Sequence, residues 1–222
     1  MNVFDILGPV MIGPSSSHTA GAVRLGRVVN KLINDTIPRR VVITLSGSFA
    51  TTYKGHGTDR ALLAGVMGYR THSKEIRDAL QIARDKGIEY EFRTEHIRDA
   101  HPNTARIDYT LEDGSEGMMQ GASVGGGNIL VDQINGMHVK FTGEKNTLLV
   151  MHKDKPGVIA AVTNIIHWNY RDLNISNFHL SRENRGGNAI MAIEVDSMPP
   201  YELLGDIRRL EYVTNALLIR KI

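Results

Sequence analysis

Residues 147–219, TLLVMHKDKPGVIAAVTNIIHWNYRDLNISNFHLSRENRGGNAIMAIEVDSMPPYELLGDIRRLEYVTNALLI, decide how the second part of the chain folds. Thr147–His152 reads as a buried strand, and Pro156–Trp168 carries apolar residues at helical spacing. Asn174–Ser181 and Asn188–Asp196 read as strands, Pro199–Leu210 as a helix and Tyr212–Ile219 as a final strand. Pro156 suits the first turn of its helix, and Asp154 can cap it. The order βαββαβ in about 75 residues is the ferredoxin-like split βαβ unit. A polar stretch, Thr142-Gly143-Glu144-Lys145-Asn146, precedes it and sets a boundary near residue 146. The expected domains are therefore 1–146 and 147–222.

Upstream the pattern is mixed. Ala22, Leu25, Val29, Leu32 and Ile33 fall on one face of a helix over 20–33, with Arg24, Arg27, Asn30 and Lys31 opposite. Ser15-Ser16-Ser17 supplies N-cap residues just before it. Arg40–Leu45 reads as a buried strand ending in Ser46-Gly47-Ser48. A short helix follows Thr58-Asp59 and stops at Gly68, and another runs from about Ser73 to Lys86, with Gly87 as terminator. Alternation at Ile88/Tyr90/Phe92, at Ile107/Tyr109/Leu111 and over Ile129–Ile134 marks three strands. Asp113-Gly114 and Asn135-Gly136 read as hairpin turns. The fold class is α/β in the broad sense (α+β), with two domains.

Composition narrows the chemistry. The chain has 222 residues, 41% hydrophobic and 23% charged, a globular balance. No apolar run approaches the roughly 18–20 residues of a membrane span. The start, MNVFDILGPVMIGP, has no basic residues ahead of its apolar stretch, so a secretory signal is not expected and the expected location is cytoplasmic. A net charge of +2 with scattered Lys and Arg argues against nucleic acid as a partner. The chain has 0 cysteines, which excludes disulfides, thiol nucleophiles, Cys-ligated zinc and any iron–sulfur cluster held by this chain alone. No metal ligand is assigned to it.

Histidines and glycines gather in loops instead. Gly13-Pro14-Ser15-Ser16-Ser17-His18-Thr19 sets three hydroxyls, a histidine and a threonine at a helix start. Free N–H groups and the positive end of the helix dipole there suit a carboxylate or phosphate. One serine suffices for a cap, so a ligand role is favoured slightly over a redundant cap. Gly55-His56-Gly57-Thr58-Asp59 repeats the arrangement at another helix start. Asp59 can cap that helix or fix the tautomer of a nearby histidine, and a plain surface loop is an equal reading. His101-Pro102-Asn103-Thr104 reads locally as a turn. Ser123-Val124-Gly125-Gly126-Gly127-Asn128 reads as an anion nest or equally as a bulge or hairpin. No Walker or G-x-G-x-x-G pattern occurs, so a nucleotide is not expected.

In this order, GPSSSHT, SGS followed by KGHGTD, HPNT and SVGGG resemble the β part of the bacterial iron–sulfur L-serine dehydratases, over essentially the whole chain. The first domain also resembles the allosteric substrate-binding domain of some D-3-phosphoglycerate dehydrogenases. The resemblance implies elimination of water from L-serine to give pyruvate and ammonia. It implies a 4Fe-4S cluster on a separate cysteine-containing α subunit, whose iron acts as Lewis acid on the β-hydroxyl. Carried over by residue, Ser15, Ser16, Ser17 and Thr19 hold the substrate carboxylate, and Asp59, Asn103, Gly125 and Gly126 complete the substrate site. His18 and His56 become the catalytic histidines, His56 being favoured as the base. Pyridoxal phosphate is the usual alternative for serine elimination, but neither a Schiff-base lysine nor a phosphate cup is recognisable. Residues 147–222 are similar to an ACT domain, a ligand-sensing module that pairs with a second copy. That resemblance implies self-association and an amino-acid effector held by His152, Asp154 and Asn174, with Asp154 standing where Asn is typical. The rival reading is a regulatory amino-acid-binding protein of the same layout with no part in catalysis. It accounts for the serines but not for both His18 and His56.

Overall fold

The computed structural model describes Met11, Gly13 and residues 15–222, so the N-terminal stretch read for a leader lies outside the described residues. The chain forms two compact units that divide between Asn135 and Gly136, upstream of the polar stretch at 142–146.

In the first unit a π-helical turn, Ser16–Gly21, runs into α1 (Ala22–Leu32). β1 (Arg40–Leu45) is followed by α2 (Gly47–His56), α3 (Thr58–Val66), a 3-10 turn (Lys74–Asp78) and α4 (Ala79–Asp85). Then come β2 (Glu89–Thr94), β3 (Thr104–Thr110), β4 (Glu116–Gly125) and β5 (Asn128–Ile134). These strands lie in the order β2-β1-β3-β4-β5. β1 and β2 are parallel, joined by the helical crossover, and the remaining pairs are antiparallel. Alternation sends Val41, Ile43, Leu45, Ala105, Ile107 and Met119 into the core. The opposite face carries ion pairs of Arg40, Glu91, Arg93, Arg106 and Asp108.

Sequence and structure differ here in four places. The helix expected over 20–33 opens with a π turn. That expected over 73–86 is broken at Asp78, whose φ of −107° and ψ of 11° separate a 3-10 turn from α4. α2 and β4 were not expected. Gly55 and His56 therefore close one helix rather than open the next, and Gly57, at φ 70°, makes the hinge between α2 and α3. Asp59 does not cap α3: its Oδ1 accepts from the N–H of Arg60 at 2.8 Å.

The helical layer is unusually close at one crossing. A Cβ on Gly26 of α1 would lie 2.1 Å from the carbonyl oxygen of Leu62, and one on Gly65 of α3 would lie 2.1 Å from that of Val23. Only glycine lets two helix backbones touch in this way.

The second unit holds β6 (Met137–Phe141), β7 (Asn146–Lys153), α5 (Val158–Asn169), β8 (Ile175–Arg182), β9 (Asn188–Val195), α6 (Glu202–Arg208) and β10 (Val213–Ile219). From β7 onward the order is βαββαβ, as the sequence implies, and the antiparallel sheet runs β10-β7-β9-β8. Leu148, Val150, Met191, Ile193 and Val195 meet Val158, Val162, Ile166, Leu203 and Ile207 in its core. Glu194 is buried yet satisfied. Its carboxylate accepts from the N–H and hydroxyl of Thr142 and from Asn177 Nδ2 at 2.9 Å. Asp154 does not cap α5, whose N-cap is Gly157. It accepts instead from Arg182 Nη1 at 2.8 Å and from the N–H of Gly186 at 3.0 Å.

Among the described residues no helix is long and apolar enough to cross a membrane.

Candidate active site

The turn at residues 15–18 and helix α2, far apart in sequence, meet around one imidazole. Ser15 caps the π turn, and its Oγ accepts from the N–H of His18 at 3.3 Å. The side chain of His18 is thereby turned inward, where it is 8% exposed. Its Nδ1 lies 3.1 Å from Ser17 Oγ and 3.4 Å from Ser15 Oγ, and its Nε2 lies 3.2 Å from Ser48 Oγ. Hydroxyls can donate or accept, so this ring of serines holds either neutral tautomer. His56 stands edge-on to His18, ring centroids 4.7 Å apart, and Phe49 packs on the other side at 5.2 Å.

Ser48 lies in the SGS motif, but sequence alone assigns it no role in the site. It sits at the carboxyl end of β1, in the first turn of α2, the place where open α/β sheets commonly present ligand-binding groups. Gly47 is held against the next loop: a Cβ there would lie 2.7 Å from Pro102 Cα. Asn103 and Ser123 continue the chain of contacts. The N–H of Ser123 donates to the Asn103 carbonyl at 3.0 Å, and Asn103 Nδ2 donates to the Ser123 carbonyl at 3.3 Å. Ser123 in turn faces Gly21, where a Cβ would stand 2.1 Å from its Oγ.

Not every expected residue joins this cluster. Ser16 makes none of the bonds to His18. Gly125 and Gly126 form the tip of the β4–β5 hairpin with φ of 106° and 60°, and the hairpin is tied down by Arg24 Nη1, which donates to the Gly127 carbonyl at 2.7 Å. Asn103 is engaged in the turn that joins two loops. Thr19 is 2% exposed, and its Oγ1 has no partner among the described residues. It lines a cavity of about 270 Å³ together with His56, Lys54, Arg60 and Arg77.

Electrostatics follow from burial. Loss of hydration lowers the pKa of His18, and the neighbouring His56 lowers it further. Burial raises the carboxyl of Asp59, partly countered by its bond from Arg60. The stability consequence of His18 has a definite sign. A histidine whose folded pKa is depressed binds fewer protons folded than unfolded, so stability falls as pH drops below the unfolded value of about 6.5. The unfolding temperature of the chain should decline from pH 8 toward pH 5, and H18Q should flatten that decline. Parallel profiles for wild type and variant would contradict the placement of His18.

The second unit distributes its three candidate residues differently. His152 is buried. Its Nδ1 donates to the Lys153 carbonyl at 2.7 Å, and Nε2 has no partner among the described residues. Asp154 is bound to Arg182 as described, and the Gly186 N–H, then Arg182, lower its pKa. Asn174 Nδ2 donates to Asp196 at 2.8 Å. The register places Asn174 beside the Asn146 end of β7, about 20 Å from His152 at 3.3 Å per residue. One copy cannot bring Asn174 and His152 onto one small ligand.

A family model and two relatives aligned over nearly their whole length agree on one family. A family model described as "Serine dehydratase beta chain" matches residues 2–134. The chain is 44% identical over 209 residues to the "Probable L-serine dehydratase, beta chain" of Bacillus subtilis, covering 94% of this chain and 93% of that one. It is 33% identical over 216 residues to the "L-serine dehydratase, beta chain" of Peptoniphilus asaccharolyticus, covering 97% and 96%. It is also similar to the "D-3-phosphoglycerate dehydrogenase" of Archaeoglobus fulgidus, at 25% identity over 198 residues, covering 88% of this chain and 36% of that one.

Proposed function

The chain belongs to the serine dehydratase β-chain family, and from that membership we propose that it is the β subunit of an enzyme that eliminates water from L-serine. The observation that carries the reading is the contact between His18 and His56 inside a ring of serine hydroxyls. A carboxylate-binding protein needs hydroxyls and N–H groups; it does not need two imidazoles edge to edge.

In this reading His56 takes the Cα proton of serine. Imidazole suits the step because its pKa lies near neutral pH. His18, kept neutral by burial, fixes the position of His56 without adding a second full charge beside it. The β-hydroxyl leaves as water, giving 2-aminoacrylate, which tautomerises and hydrolyses to pyruvate and ammonia.

Activation of the leaving hydroxyl falls to a partner. This chain offers no cysteine to an iron–sulfur cluster, since it has 0 of them. The 4Fe-4S cluster is proposed to belong to a cysteine-containing α subunit that completes the site. The purified chain alone is therefore expected to be colourless and to form no pyruvate from L-serine, measured with a coupled lactate dehydrogenase assay. Turnover by the metal-free chain would sink the two-subunit reading.

The second unit is proposed to be an ACT-like regulatory module. The separation of His152 and Asp154 from Asn174 supports a ligand held between two copies, one giving the β7–α5 loop and the other the start of β8. Binding and pairing are then linked, because a ligand that favours the pair tightens it.

A further inference from the structure

The serine hydroxyls at the start of the π turn are expected to receive the substrate carboxylate, yet Ser15 and Ser17 are already bonded to His18 and to each other. The neighbouring cavity is better equipped for an anion. Lys54, Arg60 and Arg77 line it, His56 stands at its wall, and no carboxylate lines it among the described residues. Asp59, whose carboxyl feels the charges of Arg60 and Lys54, is not among the lining residues.

Two further features point to a ligand. Thr19 has a buried hydroxyl with no partner among the described residues, a group that is costly to leave unpaired inside a fold. Gly55 is the second. It lies within α2, outside the positive-φ region, and a Cβ there would meet nothing within 4 Å. Glycine inside a helix is destabilising relative to alanine, and here neither backbone geometry nor packing requires it. What it does is keep the cavity wall bare.

We infer that this cavity holds the carboxylate of the amino-acid substrate, with Arg60, Arg77 and Lys54 as counter-charges and the Thr19 hydroxyl as neutral donor, so that Cα lies beside His56. Arginine pairs with a carboxylate through two parallel N–H donors, which fixes orientation as well as charge. The assignment rests on the serine reading proposed above. It makes the carboxylate, rather than the amine or the hydroxyl, the group by which this chain selects its substrate.

The test uses the full chain, with the ring C–H signals of His56 followed by NMR during titration. L-Serine should shift them, whereas ethanolamine, which has the amine and the hydroxyl but no carboxylate, should not. The exposed double variant R60Q/R77Q should weaken the serine response at least about tenfold, the loss expected for hydrogen bonds to a charged group, and G55L should remove it while circular dichroism shows the fold intact. Equal responses to serine and ethanolamine, an unchanged double variant, or no response of the wild-type chain to serine at tens of millimolar would overturn the assignment. The two readings fail separately. Serine binding as described, with no pyruvate from the assembled complex, would overturn the dehydratase reading and leave the carboxylate site standing. Normal turnover with an unchanged KM in R60Q/R77Q would do the reverse.

Discussion

Alanine at position 56 is expected to lower kcat of the assembled dehydratase by roughly 10²–10⁴, the usual cost of losing a positioned acid–base group. His56 is exposed and lines the cavity, so its removal deletes little packing. Partner binding and unfolding temperature should stay close to wild type. The variant also carries an internal check on geometry. His56 is the second cause, after burial, of the lowered pKa of His18, so H56A should move the titration of His18 upward by NMR. Near-normal kcat in H56A would remove the residue from catalysis and leave its loop as structure. A lost kcat with an unmoved His18 titration would separate the two rings that the structure holds 4.7 Å apart.

Gly26→Leu should produce the largest loss of stability. No side chain fits where a Cβ would already stand 2.1 Å from a carbonyl of α3 and 2.7 Å from the N atom of Val66. Because the obstacle is backbone, α1 and α3 must move apart, and overpacking of this kind costs about 3 kcal/mol. The unfolding temperature should fall by roughly 10 °C, and the urea midpoint should fall with it. The site should suffer as well, since α1 continues the turn that holds His18 and α3 begins just after His56. A loss below about 1 kcal/mol would show that the two helices do not cross on these glycines.

The second unit was the most legible part of the sequence. Its strands and helices differ in period, each is bounded by polar or Gly/Pro residues, and β7, α5, β8, β9, α6 and β10 occur where the spacing puts them. α2 was not legible because Phe49 is its one buried side chain; with no apolar face there is no period to read. β4 was hidden by Gly117, Gly121 and Gly125 and by two adjacent methionines, residues that give weak strand signals. β6 alternates cleanly, with Met137, Val139 and Phe141 buried, but five residues are too short a run to stand out, and only the turn at Asn135-Gly136 is legible. For the site, sequence named the loops and not their meeting. The pairs His18–Ser48, His18–His56, Gly47–Pro102 and Asn103–Ser123 are tertiary, and no spacing rule reports them. The cationic wall of Lys54, Arg60 and Arg77 escaped for the same reason, because Arg77 reaches the cavity from a different element.

The contribution of this chain to a shared active site stands at the centre of the proposed function. It is tested most directly by titrating the chain into a fixed amount of the purified cysteine-containing partner, with its cluster intact, and measuring pyruvate formed from saturating L-serine. Activity should rise from near zero in proportion to added chain and level off at one equivalent, and the H56A chain should compete for the same partner without restoring turnover. Full activity of the partner in the absence of this chain, or an unchanged rate on adding it, would contradict a shared active site.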